Sequence, residues 1–291
     1  MKAYLLSLVD IATRGKRKVK GHFVSHRRLL TYKRVADITP EIPPGDGSLE
    51  RLEKLLDSWR GMGMSESTIK TYVDVLKMVP GKYDFPKLDV PKTEPQHLPI
   101  EVAWQILIAP LPFWVSTDRQ RSLWTATKLS LNSALRPGDS LSITKQNIAG
   151  DILMVKHQKT GVIVRSQLHP AVAEYLAGEI ERNGDVYPFS FSRTALDYRK
   201  RMFTDFVKEI LVHYDCADNV VFDTADGTVK QYKLKDVITA HSLRASSVAL
   251  MLSKGIQAHD VKAVGGWSQN SPIFAQHYLK PNINIWGNGQ G

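Results

Sequence analysis

The chain has 291 residues, of which 43% are hydrophobic and 23% charged, enough for one large globular domain or a large one with a small companion, and a sizeable core is expected. No apolar run approaches the length that spans a bilayer, and the stretch from Ala3 to Val9 runs into Asp10 and a basic cluster instead of a small-residue cleavage site. An intracellular protein without a membrane partner is therefore expected. The single cysteine, Cys216, excludes an internal disulfide and has no neighbouring ligand set for zinc, so no metal is expected.

The net charge of +10 is concentrated at one end. Residues 1 to 34 carry ten Lys or Arg against one acid, Asp10, giving +9, whereas the other 29 basic and 28 acidic residues give +1. Arg14, Lys16, Arg17, Lys18, Lys20, Arg27 and Arg28 form most of this basic arm. Such a segment attracts a polyanion, since each phosphate neutralised releases condensed counterions, although a merely solvated tail has the same composition.

In chain order, Tyr4, Leu5, Leu8, Val9 and Ala12 recur at helical spacing ahead of the basic run. Leu49, Leu52, Leu55, Leu56 and Trp59 predict a second helix. Ile69, Tyr72, Val73 and Leu76 predict a third, with Ser65 and Ser67 as capping candidates. Five prolines between 80 and 99 (Pro80, Pro86, Pro91, Pro95 and Pro99) favour an extended linker. The expected organisation is a helical unit over 1–85 with the basic arm, a linker over 86–99, and a larger domain over 100–291.

Beyond the linker, Pro99 to Ile108 and Arg121 to Leu135 read as helices. Asp151 to Leu168 reads as a hairpin turning at Gln158-Lys159-Thr160-Gly161. Helices are expected to open near Pro170 and after Ser192, the latter running to about Val212. A second hairpin is expected over Val220 to Leu234, around Asp226-Gly227. From His241 onward the chain reads as helical, with Gly255 and Gly265-Gly266 as stops. The fold class is mainly α with a small antiparallel β-sheet.

Five separated features carry chemistry. His241-Ser242-Leu243-Arg244 sets a His and an Arg three apart at a helix start, an arrangement suited to a phosphate, though the short pattern is common by chance. Ala134-Leu135-Arg136-Pro137-Gly138-Asp139 places a second Arg before a helix start. Lys159 lies at the hairpin tip. Gly266-Trp267 precedes Ser271-Pro272, a cap and first helical residue that would present Tyr278.

Taken in order, Arg136, Lys159, His241, Arg244, Trp267 and Tyr278 resemble the active-site series of the tyrosine recombinases, the phage-integrase family of site-specific DNA recombinases. The resemblance covers roughly residues 100 to 280. The 1–85 unit, where Ser67-Thr68-Ile69 leads to Tyr72, is similar to the family's core-binding domain. One departure is spacing: Tyr278 stands eleven positions after Trp267, where many members have nine.

The chemistry gives each residue type a reason. Arg136 and Arg244 can offer bidentate donors to the non-bridging oxygens of a phosphodiester without titrating. His241 is read as the base or relay that takes the proton of the phenol. The resemblance makes Lys159 the general acid for the leaving 5′-oxygen. Trp267 can donate its indole N–H but cannot shuttle a proton, and plain core packing is its rival role. Asp139 is read as an acceptor orienting Arg136 or His241.

The resemblance further implies attack by Tyr278, a 3′-phosphotyrosine intermediate and a free 5′-hydroxyl, with no metal, ATP or other cofactor. The expected partners are double-stranded DNA and, on it, further copies of the chain, from dimer to tetramer. Two alternatives stand beside this: a type IB DNA topoisomerase, and a non-catalytic DNA-binding regulator descended from a recombinase. The tail from Leu279 to Trp286 offers Ile283, Ile285 and Trp286 for protomer contact. Removing residues 1–20 should weaken DNA binding and flatten its salt dependence, by about one unit of slope for each phosphate no longer neutralised. Affinity titrations at several salt concentrations check this.

Overall fold

The computed structural model describes residues 2–13, 26–40, 49–78, 85–86, 88, 96–158, 160–183, 196–223 and 229–278. Two units, Met1–Lys92 and Thr93–Gly291, each have their own core.

The first unit contains α1 (Lys2–Thr13), α2 (His26–Ile38), α3 (Leu49–Gly61) and α4 (Glu66–Leu76). Ser65 caps α4 by accepting from the Thr68 backbone N–H, one of the donors that a helix start leaves orphaned. Leu5, Leu52, Leu56, Trp59, Ile69 and Leu76 are buried together, and Trp59 meets the ring of Tyr72 edge-on at 5.5 Å. The α2 helix is absent from the sequence reading, which left it inside the basic arm. Tyr32, Val35 and Ala36 turn inward at helical spacing while Arg28, Lys33 and Arg34 face out, so those cations ride on an amphipathic helix. Arg27 also lies on α2, whereas Arg14, Lys16, Arg17, Lys18 and Lys20 lie outside the described residues.

The second unit opens with α5 (Ile100–Ile108) and α6 (Asp118–Ser133), followed by the single turn α7 (Pro137–Ser140). Strands β1 (Ile148–Ala149), β2 (Ile152–Lys156) and β3 (Ile163–Gln167) form an antiparallel sheet in that order, with Val155 opposite Val164. Next come α8 (Pro170–Asn183), α9 (Leu196–His213) and the hairpin of β4 (Val220–Asp223) with β5 (Lys230–Lys233). The unit closes with α10 (Leu234–Val237), α11 (Ser242–Ser253), α12 (Ala258–Gly265) and α13 (Pro272–Tyr278). The fold is mainly α with small antiparallel sheets. The capping candidate Ser192 and the Asp226-Gly227 turn lie outside the described residues. Among the described residues, no helix is long and apolar enough to cross a membrane.

Two differences from the sequence reading have local causes. The α6 helix starts three residues earlier than Arg121 because Thr117 and Gln120 form a reciprocal capping box. Strand β1 adds a third strand where only a hairpin was expected, since two residues carry no periodic signal.

Helix α6 is buried from Ser122 to Ser133 although half of that stretch is polar. Three of its hydroxyls are satisfied by the preceding turn: Ser122, Thr125 and Thr127 donate to the carbonyls of Asp118, Arg121 and Leu123. Lys128 is 0% exposed and donates to the carbonyls of Ile106 and Leu107 at 3.1 and 2.8 Å, capping the end of α5. Burial lowers its pKa from 10.5 to about 8. Between those values the unfolded chain holds a proton that the folded chain has released, so this group makes stability rise with pH. Relative to Lys128→Met, the unfolding free energy of the native chain should gain up to about 3 kcal/mol from pH 8 to 10.5, read by denaturant titration.

Candidate active site

Helix α6 ends on Ala134, held at φ 48° and ψ 36°. A side chain in this left-handed region costs about 1–2 kcal/mol, and hydrogen bonds from α11 oppose that cost. The Ala134 N–H donates to Ser247 Oγ at 3.1 Å, and its carbonyl accepts from Arg244 Nη1 at 2.6 Å. Ser247 Oγ also donates to the Leu131 carbonyl. Arg244 and Ser247 lie three apart, hence on one face of α11.

Arg244 is 2% exposed, and its Nη2 donates to the Gly265 carbonyl at 3.0 Å. The face of Trp267 lies against the guanidinium, 3.5 Å from the ring centroid. Gly265 permits this, because a Cβ there would come within 1.8 Å of the Trp267 ring. Gly266, at φ +68°, caps α12 and lies so close to His157 that a Cβ would stand 2.7 Å from its Nε2. The glycine pair thus stops a helix and also lets two side chains approach the backbone.

At the start of α13, Ser271 Oγ accepts from the Phe274 N–H and Pro272 is the first helical residue. Phe274 is buried, and its ring contacts both Trp267 and Tyr278. Trp267 and Tyr278 meet at 5.5 Å between centroids, so the eleven-residue interval between them closes on a direct contact.

Burial raises the pKa of the Tyr278 phenol, opposed by the charge of Arg244, a hydrogen bond from it, and the charge of Arg136. Arg244 is lowered to about 9 by burial and by Arg136, with Tyr278 and Asp139 acting in the opposite sense, and it stays a cation at neutral pH. Two guanidiniums, one of them buried, therefore converge electrostatically on one phenol. This arrangement favours an anion beside the tyrosine.

Arg136 is the cap residue of α7 and is 22% exposed. Its Nη1 lies 3.1 Å from His157 Nδ1 and 3.8 Å from Asp139 Oδ2. Asp139 is buried: Oδ2 is 2.7 Å from His157 Nδ1, and Oδ1 accepts the Gln158 backbone N–H at 3.0 Å. Its pKa is lowered; burial pushes it up, and the two hydrogen bonds with the charges of His157 and Arg136 outweigh that. Asp139 was read as orienting Arg136 or His241; the structure sets it against His157, beside Arg136. His241 is exposed at the start of α11. Lys159 lies outside the described residues, in the turn whose neighbours are closed by His157 N–H to Val162 O and Gly161 N–H to His157 O.

The model of the phage integrase family matches residues 116–284. The chain belongs to this family. Solved structures of similar fold include a lambda integrase dimer bound to a COC′ core site, at 18% identity and TM-score 0.66, covering 99% of this chain and 98% of that one. Another is the Tn1549 transposon integrase in complex with transposon right end DNA (13% identity, TM-score 0.62, 94% and 97% covered). A third is the XerH site-specific recombinase bound to difH substrate (16% identity, TM-score 0.58, 96% and 80% covered). No curated protein sequence matches the chain.

Sequence reasoning missed His157, although the signal was present. Leu153 and Val155 point inward on β2, and the same alternation carries on to position 157, so a polar ring there is buried and needs a partner. It also missed the basic start of α9, where Arg199 donates to the Leu141 carbonyl and Lys200 lies against Gly138, next to the turn that carries Arg136. Gly265→Ala should push Trp267 off Arg244 and cost about 1–3 kcal/mol, measured by thermal or chemical unfolding.

Proposed function

We propose that the chain is a site-specific DNA recombinase or integrase that cuts and rejoins strands through a covalent bond between Tyr278 and a 3′-phosphate. The observation that carries this reading is the packing of the buried Arg244 guanidinium, the Trp267 ring and the Tyr278 ring into one cluster, with the charge of Arg136 also acting on the phenol. Family membership and the DNA complexes formed by proteins of similar fold support it.

In the proposed step, Tyr278 Oη attacks the phosphorus, its proton passes to His241, and the bond from phosphorus to the 5′-oxygen breaks. The 5′-oxygen leaves as a hydroxyl, protonated by Lys159. Arg136 and Arg244 hold the non-bridging oxygens as charge builds on them. Two of Arg244's N–H groups are committed to Ala134 and Gly265, which leaves its remaining donors for the phenol and the phosphate. Trp267 fixes the plane of Arg244 by stacking, and Asp139 sets Arg136. Since the new ester conserves the energy of the old one, a second 5′-hydroxyl reverses the step without metal or ATP.

The partner is double-stranded DNA, gripped by the 1–85 unit and its basic arm as well as by the 100–291 unit, with the 86–99 linker between them. On DNA the chain assembles with further copies, as proteins of similar fold do: a lambda integrase dimer sits on a core site and a tetramer on a Holliday junction. Its place in the cell is with the DNA it rearranges.

Incubation with nicked candidate DNA should trap an adduct that maps to Tyr278 and disappears in Tyr278→Phe; an adduct on another residue overturns the reading. Arg136→Ala or Arg244→Ala should slow adduct formation by about 10²–10³-fold, in single-turnover assays. Deleting residues 282–291, which lie outside the described residues, should impair recombination of paired sites more than cleavage of one site. Relaxation of supercoils without paired sites would instead favour a type IB topoisomerase.

A further inference from the structure

The structure assigns His157 as a positioning residue that locks the turn carrying Lys159 onto Arg136; this rests on the proposed strand-cleavage reading. His157 is 0% exposed and continues the inward alternation of β2 one residue past its end. Its backbone closes the turn, with the N–H donating to Val162 O at 2.9 Å and the carbonyl accepting from Gly161 at 2.8 Å. Its side chain reaches Asp139 Oδ2 at 2.7 Å and lies alongside Arg136 Nη1 at 3.1 Å.

The distances fix the direction of these bonds. An ionised Asp139 only accepts, so at 2.7 Å the proton lies on Nδ1 and points at Oδ2. Nδ1 is then no acceptor for Arg136, which is held by the Asp139 carboxylate and packs beside the imidazole. The other ring nitrogen, Nε2, is buried without a hydrogen-bond partner and faces Gly266, whose missing Cβ leaves the room. A ring whose sole polar bond is the one to Asp139 is not there to fill hydrogen-bonding capacity. The neighbouring residue acts in concert, since the Gln158 backbone N–H donates to the other Asp139 oxygen, so Asp139 receives two bonds from the strand end that leads into Lys159. Asp139 thereby sets Arg136 and the Lys159 turn against each other, and His157 is the side chain that makes this bracket. Gly266 behind the ring leads directly to Trp267 and so to Arg244.

Loss of the bracket should chiefly affect proton delivery to the leaving oxygen, and the phosphate clamp less, since Arg136 keeps its ion pair with Asp139. A DNA substrate with sulfur at the bridging 5′ position separates the two, because a thiolate leaves without a proton and dispenses with a general acid. His157→Leu keeps volume and removes the donor; His157→Asn keeps a donor at the Nδ1 position. On ordinary nicked DNA, His157→Leu should lower the single-turnover rate of adduct formation by about 10–100-fold, the range expected for loss of an orienting partner. On the sulfur-bridged substrate most of that loss should disappear. His157→Asn should stay within about threefold of the native rate on both.

Equal losses of His157→Leu on the two substrates, or no loss, overturn the inference, as does a loss above about tenfold for His157→Asn on both. If His157→Leu does not fold, judged by its melting transition, His157→Asn decides alone, with retention supporting the bracket and loss rejecting it. A native chain that forms no adduct on either substrate refutes the strand-cleavage reading itself, a result distinct from all of these.

Discussion

The burial of Arg244 is the constraint on which the second unit depends. Taking a guanidinium out of water costs several kcal/mol unless its donors are met, and here they are met by backbone from two distant segments: Ala134 at the end of α6 and Gly265 at the end of α12. Trp267 covers one face of the cation, and the Tyr278 phenol takes a further donor. One side chain therefore sets the exit of α6, the exit of α12 and the seat of α13. Arg136 enters the same arrangement because it follows Ala134 by two residues, so whatever fixes that turn also aims the second guanidinium.

This explains why strained or unusual positions cluster here. Ala134 occupies a left-handed conformation because α11 holds both its N–H and its carbonyl. Gly265 and Gly266 are required by the Trp267 and His157 rings that lie on them. These are costs a fold bears where geometry serves a purpose, and the proposed binding of a phosphate between two cations and a phenol would be such a purpose. Membership of the phage integrase family and the shared fold with DNA-bound integrases fit the same picture.

Much of the second unit was legible from local signals. The β2–β3 hairpin followed from alternation, and α13 from Ser271-Pro272. Helix α2 escaped because its apolar positions are diluted by Arg28, Lys33 and Arg34, which made the segment read as charge before it read as a helix. Burial of α6 escaped for the opposite reason: Thr125, Thr127 and Lys128 look like a solvated surface, and the carbonyls they bond to make them compatible with a core.

For the site, the sequence by itself determined which residue types stand in which order: Arg136, then the Lys159 turn, then His241 and Arg244, then Trp267 and Tyr278. That order sufficed to indicate the family, because residue type and spacing are properties of the chain alone. Only the tertiary structure decided that Asp139 pairs with His157, that Trp267 stacks on Arg244, and that a spacing of eleven positions still brings Trp267 and Tyr278 into contact. Those outcomes depend on which backbone carbonyls and rings surround a buried charge, and elements far apart in the chain bring them together.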